Sequence, residues 1–154
     1  MSRKSASLIA ALPVALGLLL PAWAWAQNYP PAVTALIART RAQVKTIDAA
    51  AFKAALDKKS AGLIVDVREP EEYAAGHVPG AINVPRGAIE LKLWSHLGFP
   101  EKLDMKKKIT VYCSTGSRSI LAAKSLQDLK LSNVTAVDMK FEEWTRARYP
   151  VVTE

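Results

Sequence analysis

The sequence predicts an α/β domain in which a mostly parallel sheet carries helices on both faces, and three observations lead there. Short β-branched runs, such as residues 63–67 and 109–112, have the length and composition of strands buried on both faces. Segments with apolar residues at helical spacing alternate with these runs along the chain. Half of the 154 residues are apolar and 23% are charged, which permits a packed core and excludes wholesale disorder or a low-complexity filament. The length holds one domain, or one domain plus a targeting segment, and leaves no room for two catalytic domains.

The chain starts Met1-Ser2-Arg3-Lys4, continues with an apolar run over residues 8–20, and reaches two overlapping A-x-A sites in Ala22-Trp23-Ala24-Trp25-Ala26. Residues 1–26 therefore read as a secretory signal peptide cleaved after Ala26. The alternative is an uncleaved anchor, but the run is 13 residues long and contains Pro13, whereas a spanning helix needs about 20. No stable membrane span is then expected after cleavage. Removing residues 1–26 takes Arg3 and Lys4 with them, leaving 128 residues and lowering the formal charge from +7 to +5. The expected location is the periplasm.

Residues 27–45 form a polar lead and a short helix over 32–44, with Val33, Leu36, Ile37 and Val44 on one stripe. Asp48 is placed to cap a helix that runs through Phe52 and Leu56 to about Lys58. A strand follows at 63–67. The stretch 68–76 then has Pro70 near its start, acids in the first turn and Gly76 past its end, which makes one short helix. Residues 81–84 read as a strand and 88–96 as a helix closed by Gly98. After the strand at 109–112 come a helix over 119–130, a strand over 134–137 and a helix over 141–147. No repeat or internal linker interrupts this order.

The single cysteine, Cys113, excludes an internal disulfide, a multi-cysteine zinc site and a CxxC redox pair within the chain. It is either a small buried hydrophobe or a reactive thiol. Its position favours reactivity, because sites in open α/β sheets lie where the carboxyl ends of strands run into helix N-termini. Cys113-Ser114-Thr115-Gly116-Ser117-Arg118-Ser119 occupies such a junction. Consecutive backbone N–H groups in a glycine-relaxed turn can form an anion-binding nest, and the helix dipole adds partial positive charge. A thiolate there is stabilised, and Arg118 can return a permanently charged donor toward the loop.

This loop resembles the active-site loop of the rhodanese family of sulfurtransferases. Asp66-Val67-Arg68-Glu69-Pro70-Glu71-Glu72-Tyr73 with Gly76-His77-Val78-Pro79-Gly80-Ala81-Ile82-Asn83-Val84-Pro85 resembles a second signature of that family. Trp144 followed by Tyr149-Pro150-Val151 is similar to its C-terminal end. The likeness covers about residues 46–152. It implies a three-layer rhodanese-like domain there, with a five-stranded, mostly parallel sheet. It further implies thiosulfate sulfurtransferase activity through a Cys113 persulfide, with residues 114–119 as the persulfide-binding loop. The donor would be a small anionic sulfur compound such as thiosulfate, or a persulfide. The acceptor would be cyanide, a thiol or a partner protein that takes sulfur. No metal or organic cofactor is implied.

Competing readings are a non-catalytic persulfide carrier or thiol-based interaction module, a phosphatase or arsenate reductase, and a Cys–His hydrolase. The phosphatase-type loops resemble C-x5-R, whereas Cys113 and Arg118 make C-x4-R. His77 reads as a hydrogen-bonded turn residue, and His96 as a residue near a helix C-terminus. Asp66 and Arg68 are accessory candidates whose expected job is a structural ion pair that fixes neighbouring loops. Arg86 either rims the site and attracts anionic donors or is a solvated surface charge. Lys106, Lys107 and Lys108 read as a solvated loop, and without interleaved aromatics they suggest no nucleic-acid partner. Trp94 and Trp144 read as helix core anchors. The chain also departs from the family pattern. Asp138-Met139-Lys140 replaces a frequent glycine pair, Arg148 replaces a frequent glycine, and Ser114 stands where arginine is common. Weak affinity for thiosulfate is the expectation.

Overall fold

A computed structural model describes residues 29–153; the signal-peptide reading of residues 1–26 falls outside them. Among the described residues there are five strands: β1 (Lys45–Ile47), β2 (Leu63–Asp66), β3 (Ile82–Asn83), β4 (Ile109–Tyr112) and β5 (Val134–Val137). They lie in the order β1-β5-β4-β2-β3, and every pairing is parallel. The helices are α1 (Pro31–Arg41), α2 (Ala49–Asp57), α3 (Pro70–Ala74), α4 (Ile89–Lys92), α5 (Ser117–Asp128) and α6 (Phe141–Arg146).

Two cores make this a three-layer structure. On one face, Ile37 of α1, Ile89 of α4 and Ile120, Ala123 and Leu126 of α5 pack on Val65, Ile109, Val111 and Ala136. On the other, Phe52 of α2, Tyr73 of α3 and Trp144 of α6 pack on Ile64, Tyr112 and Val137. Because β4 is central, all four of its side chains are buried, which is why its sequence does not alternate apolar with exposed polar residues; its one threonine, Thr110, satisfies its hydroxyl by donating to the Ala61 carbonyl at 2.6 Å.

Local chemistry sets the element ends. Asp48 accepts the Ala51 N–H at 2.7 Å and caps α2 as its position suggested. Pro70 opens α3, where its missing N–H costs nothing. Trp144 is fully buried and donates its indole N–H to the Pro150 carbonyl at 2.9 Å, while Trp94 is half-buried against the α5-side core. His77 stacks on Tyr73 with ring centroids 3.7 Å apart, and its backbone bridges antiparallel to Val152.

Three expectations need correction. The single helix expected over 88–96 is α4 followed by a 3-10 turn, Trp94–Leu97. The indole of Trp94 donates to the Glu90 carbonyl at 2.7 Å, and the His96 N–H turns to Leu93 three residues back. Gly98 then closes the turn at φ +92°, where a Cβ would lie 2.2 Å from the Lys102 carbonyl oxygen. Secondly, α5 begins at Ser117, two residues before Ser119, because Gly116 at φ +81° serves as its cap. Thirdly, β1 stands where the sequence offers no strand, between the lead of residues 27–45 and the Asp48 cap. It has three residues, none of them fully buried, and such an edge strand shows no periodicity.

Candidate functional site

Cys113 follows β4 directly. Alternation along β4 places Ile109, Val111 and Cys113 in the α5-side core, and Tyr112 in the opposite one. Cys113 is completely buried, with Sγ 3.9 Å from the Ser119 hydroxyl oxygen. That hydroxyl also lies 2.7 Å from the Gly116 carbonyl and 2.9 Å from the Val137 carbonyl. Ser119 thus ties the loop, α5 and the end of β5 together directly beneath the thiol.

The loop between them offers donors. Among the described residues, no hydrogen bond uses the backbone N–H groups of Ser114, Thr115, Gly116, Ser117, Arg118 or Ser119. The last three belong to the first turn of α5, whose N–H groups have no intrahelical partner. Six consecutive donors beside a thiol, at the positive end of a three-turn helix, are suited to an anion. Gly116 makes the turn possible twice over: its φ is positive, and a Cβ there would meet Asp138 Oδ1 at 2.7 Å. Asp138, one of the departures from the family pattern, is therefore packed against the loop, and its carboxylate pairs with Arg41 of α1.

Arg118 does return to the loop, but it brings a partner that sequence reasoning missed. Its Nη1 lies 2.7 Å from Glu72 Oε2 and its Nη2 lies 2.9 Å from Glu72 Oε1. Nη2 also donates to the Ser114 hydroxyl at 2.8 Å, and that hydroxyl donates to Glu72 Oε1. Glu69 stands 3.7 Å from the same guanidinium. The hydrogen bonds from Arg118 pull the Glu72 carboxyl down to about 2, against the cost of its partial burial. Reciprocally, the bonds to Glu72 hold Arg118 above its ordinary value, and the charge of Cys113 adds a smaller contribution. The sequence shows the acidic first turn of α3, but its place beside the Cys113 loop follows from β2 and β4 being neighbouring parallel strands.

The accessory candidates separate. Asp66 and Arg68 form a buried ion pair, with Arg68 Nε 2.9 Å and Nη2 2.6 Å from Asp66 Oδ2. Nη2 also reaches the Gly76 carbonyl at 2.7 Å, and Asn83 Nδ2 donates to the backbone carbonyls of both Asp66 and Arg68. Burial works against the Arg68 charge, but its hydrogen bonds to the Asp66 carboxylate, with that group's negative charge, outweigh it and hold the guanidinium above its usual value. The guanidinium lies over the Phe141 ring at 4.1 Å, and the Phe141 N–H binds the Ser114 carbonyl at 2.8 Å. This pair therefore supports the loop through Phe141. Arg86, open in the sequence between a rim residue and a solvated surface charge, binds Glu90 at 2.8 Å and Ser125 Oγ at 2.9 Å. Ser125 is two turns along α5 from the loop, so Arg86 braces α4 against α5. His77 Nδ1 lies 3.0 Å from the Tyr73 carbonyl and His96 is exposed; no hydrogen bond joins either ring to Cys113 among the described residues.

The profile of the Rhodanese-like domain matches residues 48–147, well over half of the chain. The chain belongs to the rhodanese family. Within it, the chain is 35% identical over 98 residues to the thiosulfate sulfurtransferase GlpE of Pseudomonas putida, covering 64% of this chain and 82% of that one. It is 30% identical over 102 residues to the "Putative sulfur carrier protein YrkF" of Bacillus subtilis, covering 66% of this chain but only 51% of the relative. A solved structure from Rhodopseudomonas palustris, described as a possible tyrosine phosphatase, superposes with a TM-score of 0.67 at 29% identity, covering 82% of this chain and 98% of that one. The rhodanese-like fold, an all-parallel five-stranded sheet between two helical layers, agrees with the fold that the loop resemblance implied.

Proposed function

We propose that this rhodanese-family protein is a sulfurtransferase that moves sulfane sulfur from thiosulfate or a persulfide to a thiophilic acceptor through a Cys113 persulfide. The observation that carries the proposal is the loop of residues 114–119, which follows Cys113 at the N-terminus of α5 and whose N–H groups make no hydrogen bond among the described residues. The Cys113 thiolate attacks the outer sulfur of thiosulfate, the new Sγ–S bond forms as the donor S–S bond breaks, and sulfite leaves with the bonding pair. The loop donors then hold the anionic outer sulfur, a preorganised stabilisation that needs no rearrangement at the moment of transfer. Cyanide or a thiol attacks that sulfur and restores the thiolate. This is ping-pong covalent catalysis.

Two observations frame the alternatives. Complete burial of Cys113 favours a carrier that exposes its sulfur only to a fitted partner, and one relative is named as a sulfur carrier. The C-x4-R loop is one residue shorter than the phosphatase-type C-x5-R pattern, which argues against phosphate transfer despite the name given to the Rhodopseudomonas protein. The leader read in residues 1–26 makes the site of action the periplasm, where Cys113 has no second cysteine in its own chain to capture the persulfide. Steady-state thiocyanate formation from thiosulfate and cyanide, abolished in Cys113→Ser, is the expected result. A persulfide that forms but turns over only with a protein acceptor would support the carrier reading, and release of phosphate from an aryl phosphate would support the phosphatase one.

A further inference from the structure

The formal excess of positive charge in this chain does not reach its loop as free guanidinium. Arg118 is held by both oxygens of Glu72, and the Ser114 hydroxyl closes the triangle between them. Glu69 adds a second carboxylate at 3.7 Å. Arg41 of α1 is committed to Asp138, whose carboxylate packs on Gly116. Arg118 and Arg41 are thus two guanidiniums set against the three carboxylates of Glu72, Glu69 and Asp138.

We propose that Glu72 is a specificity-determining residue: by occupying Arg118, it makes the site discriminate against dianionic sulfur donors and favour donors that carry less charge, such as alkyl or protein persulfides. The inference rests on the sulfurtransferase reading and adds the class of donor to it. A dianion entering the loop must either displace Glu72 from Arg118 or sit near an uncompensated carboxylate. A neutral persulfide, R–S–SH, meets neither cost. There the thiolate forms its Sγ–S bond to the outer sulfur as the R–S bond partner leaves as R–S⁻, and the proton stays on the transferred sulfur. The loop N–H groups serve both donor types alike, so the discrimination belongs to Glu72 rather than to the nest.

The test compares thiosulfate with methanethiosulfonate, a sulfane donor of similar size in which a methyl group replaces one charged oxygen. Electrostatic energy scales with donor charge, so Glu72→Gln is expected to lower KM for thiosulfate by about tenfold and for methanethiosulfonate by about threefold, with kcat little changed. Glu72→Asp, which keeps the charge, should retain the wild-type ratio. If Glu72→Gln fails to fold, Ser114→Arg supplies a guanidinium that Glu72 is not already holding, and it should shift the same ratio in the same direction. Equal changes for both donors, or a higher KM for thiosulfate in the folded variants, would overturn the proposal. Sulfur mass on Cys113 in the wild type tests the sulfurtransferase reading separately: if no donor loads Cys113, that reading fails whatever Glu72 does.

Discussion

Replacing Gly116 with alanine tests whether the loop depends on a left-handed residue at the cap of α5. The backbone there has φ +81°, which costs an L-residue about 1–2 kcal/mol. The new Cβ would also lie 2.7 Å from Asp138 Oδ1 and 3.4 Å from both Asp138 Cα and Met139 N. The backbone contacts are tolerable, so the carboxylate has to move. Its pairing with Arg41 is half-exposed, and disturbing such a pair costs about 0–1 kcal/mol. The sum is about 2 kcal/mol, a fall in Tm of about 8 °C for a domain of this size. The activity loss should be larger than the stability loss implies, because six N–H donors move together, and a displacement of about 1 Å at a reacting centre can cost about a hundredfold. Thermal unfolding by circular dichroism and thiocyanate formation measure the two effects. In the Asp138→Ala background the clash is gone but the backbone strain remains, so Gly116→Ala should still cost about 1–2 kcal/mol there. A Gly116→Ala protein with the wild-type Tm and rate would refute the argument.

Two further outcomes follow from the ion pairs around the loop. Asp66→Ala leaves the Arg68 guanidinium buried without its carboxylate, and removing one partner of a buried pair costs about 3–5 kcal/mol; urea unfolding of the variant should show a correspondingly lower midpoint, and a loss under 1 kcal/mol would show that the pair is dispensable. Glu72 is bound in its charged form, so its folded value of about 2 lies below its ordinary 4.5. It therefore stabilises the fold fully above the unfolded value and loses that contribution as pH falls from about 4.5 to about 2. With the carboxylate about a third exposed, solvent screening reduces this to about 1 kcal/mol. Wild type should accordingly exceed Glu72→Gln in stability at pH 7, with the gap narrowing at pH 3; a gap that does not change with pH would contradict the assignment.

Most of the fold was legible because parallel strands buried on both faces announce themselves as apolar runs. β2, β4 and β5 are mostly apolar and β-branched, interrupted only by Asp66, Thr110 and Thr135, and the strands read at 109–112 and 134–137 match β4 and β5 residue for residue. β1 was not legible, since a three-residue edge strand is specified by its pairing with β5, through Lys45–Thr135 to Ile47–Val137, and not by its own composition. The break between α4 and the 3-10 turn was hidden for a similar reason: the Trp94 indole takes a backbone carbonyl that helical spacing assigns to the backbone alone. At the site, Cys113, Gly116 and Arg118 could be read from one contiguous motif. Glu72 is 46 residues away from Arg118 in the chain and reaches it only because β2 and β4 are adjacent in the sheet. Arg86 could not be placed from sequence, where the rim and a solvated surface charge were both open; its partners, Glu90 and Ser125, come from α4 and α5.

The central claim is that Cys113 carries sulfur. Intact mass and peptide mapping of the purified protein after exposure to thiosulfate, or to an alkyl persulfide, should show one added sulfur atom, located on Cys113, removed by cyanide with an equal amount of thiocyanate formed, and absent in Cys113→Ser. An unmodified Cys113 after treatment with both donors would contradict the account, as would a cyanide-labile sulfur that persists in Cys113→Ser.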